Sequence, residues 1–200
     1  MAIIWKYNSE GEFTVPDCRQ LPQPLIHMLA NCPQYFSICD NYLRGYSGFD
    51  YTRMFGEFDG PNFPKNNARF LWLRLEDGTP WLANNPDPSG PDEQSFVMGL
   101  GYVKFINRSK KTGLSVEATV FVPLNGMSES IIVEIKNLSD KNKTLDFIPV
   151  IPIFGGNRAY TEYHRDVVRL YNKSRVTDHI EILPGLEWVE GKTDPSDICY

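Results

Sequence analysis

Leu114-Ser-Val-Glu-Ala-Thr-Val-Phe-Val122 decides the fold class. Leu114, Val116, Ala118, Val120 and Val122 recur at every second position, so an extended chain puts all five on one face. Ser115, Glu117 and Thr119 fall on the other face. The pattern predicts a strand of a sheet with one buried and one wetter face.

The neighbouring sequence repeats the theme. Residues 109–113 form a turn before this strand, and residues 95–107 read as one strand before the turn. Residues 130–136 follow as a strand, and Asn137-Leu-Ser-Asp-Lys141 turns the chain. Residues 144–154 come next, where Pro149 and Pro152 each remove a donor and so predict an edge or bulged strand. Upstream, residues 68–75 and 79–82 read as a hairpin around Glu76-Asp-Gly78, and 84–93 as a Pro- and Asn-rich loop. Downstream, 166–171, 175–183 and 186–190 read as three further strands.

The N-terminal third is less regular. Residues 1–15 suit a short hairpin turning at Asn8-Ser-Glu-Gly11. Residues 24–30 are a candidate for a helical turn or two. Residues 32–64 read as a long aromatic loop that carries Tyr42, Tyr46, Phe49 and Phe55 among other rings. Many short strands with frequent turns predict an all-β protein, a large antiparallel β-sandwich with long N-terminal loops. Residues 1–66 are expected as an irregular segment packed on the sandwich, and 67–200 as the sandwich itself. The apolar run Ile198-Cys199-Tyr200 looks like a strand opening, which leads us to expect a fragment of a longer protein.

Composition narrows the function. Lys and Arg number 20 against 25 Asp and Glu, a net charge of −5, which argues against a nucleic-acid partner. No apolar run has the length of a membrane span, and the first residues do not read as a secretory leader. The four cysteines have no zinc-type spacing, and free thiols in a reducing cytosol are expected. No metal site or organic cofactor is expected. Phosphate-loop, nucleophile-elbow and H-E-x-x-H motifs are absent from the sequence.

The densest set of polar and aromatic groups is residues 155–169, with Asn157, Tyr160, His164, Arg165 and Asp166. Amide, guanidinium and carboxylate groups bond sugar hydroxyls, and rings stack on pyranose faces. The same residues equally suit a solvated crossover loop with an Arg–Asp pair. Residues 45–59 pose the same choice between a saccharide groove and rings packed on the sandwich.

Four stretches in order carry a resemblance. They are Ala68-Arg-Phe-Leu-Trp-Leu-Arg-Leu-Glu-Asp-Gly-Thr-Pro-Trp81, Gly99-Leu-Gly-Tyr-Val-Lys-Phe105, Leu114 to Leu124 with its Phe-Val-Pro ending, and residues 131–139. Together they resemble the N-terminal sandwich of glycoside hydrolase family 94, the phosphorylases of cellobiose, cellodextrin and chitobiose, with the cyclic β-1,2-glucan synthases as relatives. The resemblance implies a supersandwich followed by an (α/α)6 barrel of the same polypeptide. That barrel would hold the general acid and the site for inorganic phosphate, the co-substrate. It implies reversible phosphorolysis of β-linked gluco-oligosaccharides with inversion, with Asn157 and Arg165 as the pair that reaches the acceptor sugar. A chain without the barrel should not catalyse. An oligosaccharide, the barrel and a second copy in a homodimer are the partners it implies. A stand-alone carbohydrate-binding or structural sandwich is the rival reading.

Overall fold

A computed structural model describes residues 5–31, 35–50, 53–56, 69–87, 90–156, 173–183, 187–189 and 192–194. Among these residues the regular structure is β-strand, apart from one 3-10 turn at Cys18–Gln20. In chain order the strands are β1 (Lys6–Tyr7), β2 (Phe13–Val15), β3 (Ile26–Ala30), β4 (Phe36–Asp40), β5 (Gly45–Asp50) and β6 (Arg53–Gly56). Then come β7 (Phe70–Leu75), β8 (Pro80–Leu82), β9 (Glu93–Gly99), β10 (Tyr102–Ser109), β11 (Leu114–Phe121) and β12 (Ser130–Asn137). Last are β13 (Leu145–Val150), β14 (Ile153–Gly156), β15 (Lys173–Val176), β16 (Ile180–Leu183), β17 (Glu187–Val189) and β18 (Lys192–Asp194).

Every pairing among the described residues is antiparallel. One sheet runs β1-β2-β9-β10-β11-β12, a second β13-β7-β8, and a third β14-β6-β5-β4-β3; β15-β16 and β17-β18 are hairpins. The six-stranded sheet turns its inner face to the other two. Its fully buried Phe96, Val103, Phe105, Leu114, Val116, Ala118 and Val120 share one core with Leu71, Leu73 and Ala83, and with Leu29, Cys39, Tyr42 and Leu43. The alternation in β11 comes out as read: Leu114, Val116, Ala118 and Val120 are sealed from water, while Glu117 on the outer face pairs with Lys104 of β10 at 3.0 Å. Burying each such Val or Leu is worth about 1.5–3 kcal/mol, so this face is the main source of cohesion.

The hairpins at 6–15 and 70–82 form as expected, as do the strands at β11 and β12. Several expectations need correction. Residues 24–30 are not helical, because β3 pairs with β4 there. Residues 32–64 are not one loop: β4, β5 and β6 lie within them and build most of a sheet. Residues 95–107 are two strands, β9 and β10, joined at Leu100-Gly101 with Gly101 at φ 84°. Residues 175–183 likewise divide into a hairpin.

Residues 144–154, expected as one edge or bulged strand, are two strands, β13 and β14, of different sheets; the edge position is as expected. β13, with Pro149, lies at an edge, where a missing N–H breaks no ladder on its open side. After Pro152 the chain crosses to the edge of the third sheet as β14. That crossing links the two inner sheets.

Candidate functional site

The β4–β5 turn anchors one wall of the site. The Asp40 carboxylate accepts from the backbone N–H groups of Tyr42 and Arg44, both at 2.9 Å, and from Arg44 Nε at 2.7 Å. These bonds hold Leu43 at φ 62°, a conformation rare for a branched residue, with its side chain fully buried. Gly45 follows at φ 149°, where a side-chain carbon would lie 1.9 Å from the Ile38 carbonyl oxygen. The close approach of β4 and β5 therefore requires glycine.

Beyond this turn lies a cleft of about 610 Å³. Tyr35, Tyr46, Phe49 and Phe55 line one side, and Pro149, Ile151 and Ile153 another. The rings brace one another: Tyr35 meets Phe49 edge-on at 5.5 Å, and Phe49 lies 5.2 Å from Phe55. Tyr35 Oη donates to Ser47 Oγ at 2.9 Å, and burial pushes its hydroxyl pKa up to about 12. Of the two readings of residues 45–59, the packing of rings on the sandwich holds for Phe49 and Phe55, which lie against the core and line the cleft together with Tyr46; residues 57–59 lie outside the described residues.

An ion pair forms the floor. Arg69 is 3% exposed, and its Nε and Nη2 donate to Glu129 Oε1 at 2.7 Å and Oε2 at 2.5 Å. Arg69 Nη1 donates to the Leu43 carbonyl at 3.1 Å, and Ser37 Oγ donates to Glu129. Burial works against the charge of Arg69, but the field and hydrogen bonds of Glu129 outweigh it and hold the guanidinium pKa above its ordinary value. Every donor of this pair is directed, so it fixes three segments rather than offering a free charge.

Among the described residues lining the cleft, Glu129 is the one carboxylate. The described lining thus offers aromatic rings and a fixed ion pair. No group of three or more His, Cys, Asp or Glu among the described residues could hold a metal ion. No described helix is long and apolar enough to cross a membrane. Cys18 and Cys39 are free thiols, both buried, with burial pushing each pKa up to about 12.

The residues singled out from the sequence, Asn157, Tyr160, His164, Arg165 and Asp166, lie outside the described residues. The described chain flanks them on both sides. Ile153 of β14 precedes that segment, Ile180 and Ile182 of β16 follow it, and all three line the same cleft. The sequence reading missed Arg69, Glu129 and Ser37. One signal was available: Arg69 is a lone charge at the head of the apolar run Phe70-Leu-Trp-Leu73, where a charge needs a buried partner.

Comparison with known families bears on this arrangement. The family model described as glycosyl hydrolase 94, supersandwich domain, matches residues 11–183, from just before β2 through β16. No curated protein matches the chain. With the match running through all three sheets and the cleft, the chain belongs to the supersandwich domain family of glycosyl hydrolase 94.

Proposed function

We propose that the chain is the sugar-positioning sandwich of an inverting glycoside phosphorylase acting on β-linked gluco-oligosaccharides. The family match over residues 11–183 carries this reading, because it includes the segment with Asn157 and Arg165. The aromatic cleft lined by both flanks of that segment supports it.

In this reading inorganic phosphate attacks the anomeric carbon while an acid protonates the leaving oxygen. Both groups belong to a C-terminal (α/α)6 barrel of the same polypeptide. Asn157 and Arg165 donate to hydroxyls of the acceptor sugar, and Tyr160, His164 and Asp166 shape that subsite. Their contribution is orientation: holding the acceptor in line removes part of the entropic barrier, several kcal/mol in favourable cases. No cofactor takes part, and a second copy of the chain and a cytosolic setting suit such an enzyme.

Arg165→Ala in the full-length protein tests the assignment. Acceptor KM rises at least about tenfold, the loss of one charge-assisted hydrogen bond, while phosphate KM stays within about twofold. An unchanged acceptor KM and rate would overturn the positioning role.

A further inference from the structure

Among the described residues β12 (Ser130–Asn137) is an open edge of the six-stranded sheet. An open edge presents a row of unpaired N–H and C=O groups to any incoming strand, and folds usually blunt it. The other edges here are short or blunted. β1 has two residues, β8 three and β3 five; β13 carries Pro149, and the register of β14 is irregular. β12 has eight residues in unbroken register with β11 and contains neither Pro nor Gly.

Its side chains are left unfinished on both faces. On the inner face Ile131, Val133 and Ile135 pack against the core but stay only partly buried. On the outer face Ile132 is 55% exposed, and Leu138, just beyond the strand, 56%. The Leu138 N–H donates to the Gly113 carbonyl at 2.9 Å, which continues the ladder by one residue. Glu134 lies directly opposite Glu117 of β11, an unfavourable pairing of like charges. Glu117 already has Lys104 at 3.0 Å. Glu134 meets Lys136 of its own strand at 3.6 Å, a long contact between side chains that are both more than half exposed. Its carboxylate therefore favours a cation on the open side of the strand.

The strand supplies that cation when it meets a copy of itself. In an antiparallel pair related by a two-fold axis, residues equally spaced about the axis face each other. An axis at Ile135 sets Glu134 against the partner's Lys136 twice over, and Ile132 against the partner's Leu138 twice over. Ile135 then meets the partner's Ile135 on the inner face. No other centre sets Glu134 against Lys136. An axis at Glu134 or at Lys136 opposes like charges, and one at Val133 opposes Ile132 to a carboxylate.

We propose that β12 is an interaction edge that takes β12 of a second copy of this chain, joining the two six-stranded sheets into one continuous sheet about a two-fold axis at Ile135. This assigns a surface and a register to the second copy. It uses neither Asn157 nor Arg165, so it stands or falls apart from phosphorylase activity.

Sedimentation velocity of the full-length protein over a wide concentration series, combined with hydrogen exchange, tests this. A dimer is expected. Glu134→Lys should weaken it at least about tenfold, because like charges then face each other twice. The same change removes the opposition to Glu117, so the Tm of the monomer should hold or rise. Lys136→Glu should weaken the dimer likewise, and the double variant Glu134→Lys/Lys136→Glu should restore it, since the swap re-forms both cross-strand pairs. Amides of residues 130–138 should exchange more slowly in the dimer than in the dissociated Glu134→Lys protein. A protein that is monomeric throughout the series overturns the proposal; slow exchange of 130–138 in that monomer would mean that another strand of the same chain covers the edge. A dimer whose affinity both single variants leave unchanged overturns it as well.

Discussion

Arg69 and Glu129, sixty residues apart in sequence, form a two-pronged buried ion pair at the floor of the aromatic cleft. Arg69 stands just before β7, and Glu129 just before β12 of the opposite sheet. The pair thus ties the two layers together where the cleft opens. Its third member, Ser37, belongs to β4, so all three sheets of the sandwich meet at one guanidinium.

Breaking this pair from one side should be costly. Glu129→Leu or Arg69→Met leaves the partner charge buried, and destabilisation of about 3–5 kcal/mol is expected. Replacing both, as Arg69→Met with Glu129→Leu, should cost less than the sum of the single changes. Urea denaturation of the four proteins measures this. Additive losses would show that the two side chains act separately.

Asn84 makes a comparable tie without charge. Its Oδ1 accepts from Leu71 N–H at 3.0 Å, and its Nδ2 donates to the carbonyls of Tyr42 at 2.8 Å and Arg69 at 2.7 Å. Asn84→Leu removes all three and strands buried backbone groups, so a loss of at least about 2 kcal/mol is expected. A change in urea midpoint too small for 1 kcal/mol, about the worth of one bond, would refute this account of Asn84.

Gly45→Ala should be severe for a steric reason. The added carbon would meet the Ile38 carbonyl oxygen at 1.9 Å, and the backbone at φ 149° is already unfavourable for a side chain. A loss of at least about 2 kcal/mol, seen as a lower Tm, is expected. Gly11→Ala is the control, since Gly11 also has positive φ but open space around it, and it should cost less.

Alkaline pH should weaken the fold in a defined window. Burial raises Cys18 and Cys39 from 9.0 to about 12, and Tyr35 and Tyr42 from 10.0 to about 12. Between these values the unfolded chain loses protons that the native chain keeps. Stability is therefore fully present below pH 9 and falls as pH rises towards 12. Urea midpoints at about pH 8 and about pH 10.5 check this, with the lower midpoint at the higher pH. At pH 8 neither thiol should react with a disulfide reagent until denaturant is added.

Legibility followed local chemistry. β11 was readable because one of its faces is fully buried and the other is not, so burial and sequence share a period of two. The hairpin at 70–82 was readable through its Asp-Gly turn, where Gly78 takes φ 81°. β4 and β5 were hidden because Ser37, Asp40, Ser47 and Gly45 interrupt the apolar pattern, yet all four are buried by partners from elsewhere. The turn at Leu100-Gly101 was hidden because a leucine, fully exposed here, reads as part of a strand. Arg69 with Glu129, and Trp81 with Asp92, depend on segments that only the folded sheets bring together. The family resemblance supplied what local pattern lacked, and the match over residues 11–183 bears it out at the level of the domain.

The central claim is that this sandwich serves a glycoside phosphorylase, and one assay tests it most directly. The protein, expressed to its natural stop codon, is given glucose 1-phosphate with a series of β-glucosides, and released phosphate is measured. The account predicts release that depends on the acceptor and is abolished when the region after residue 200 is removed. No release with any β-glucoside acceptor would contradict it, as would release that does not require an acceptor.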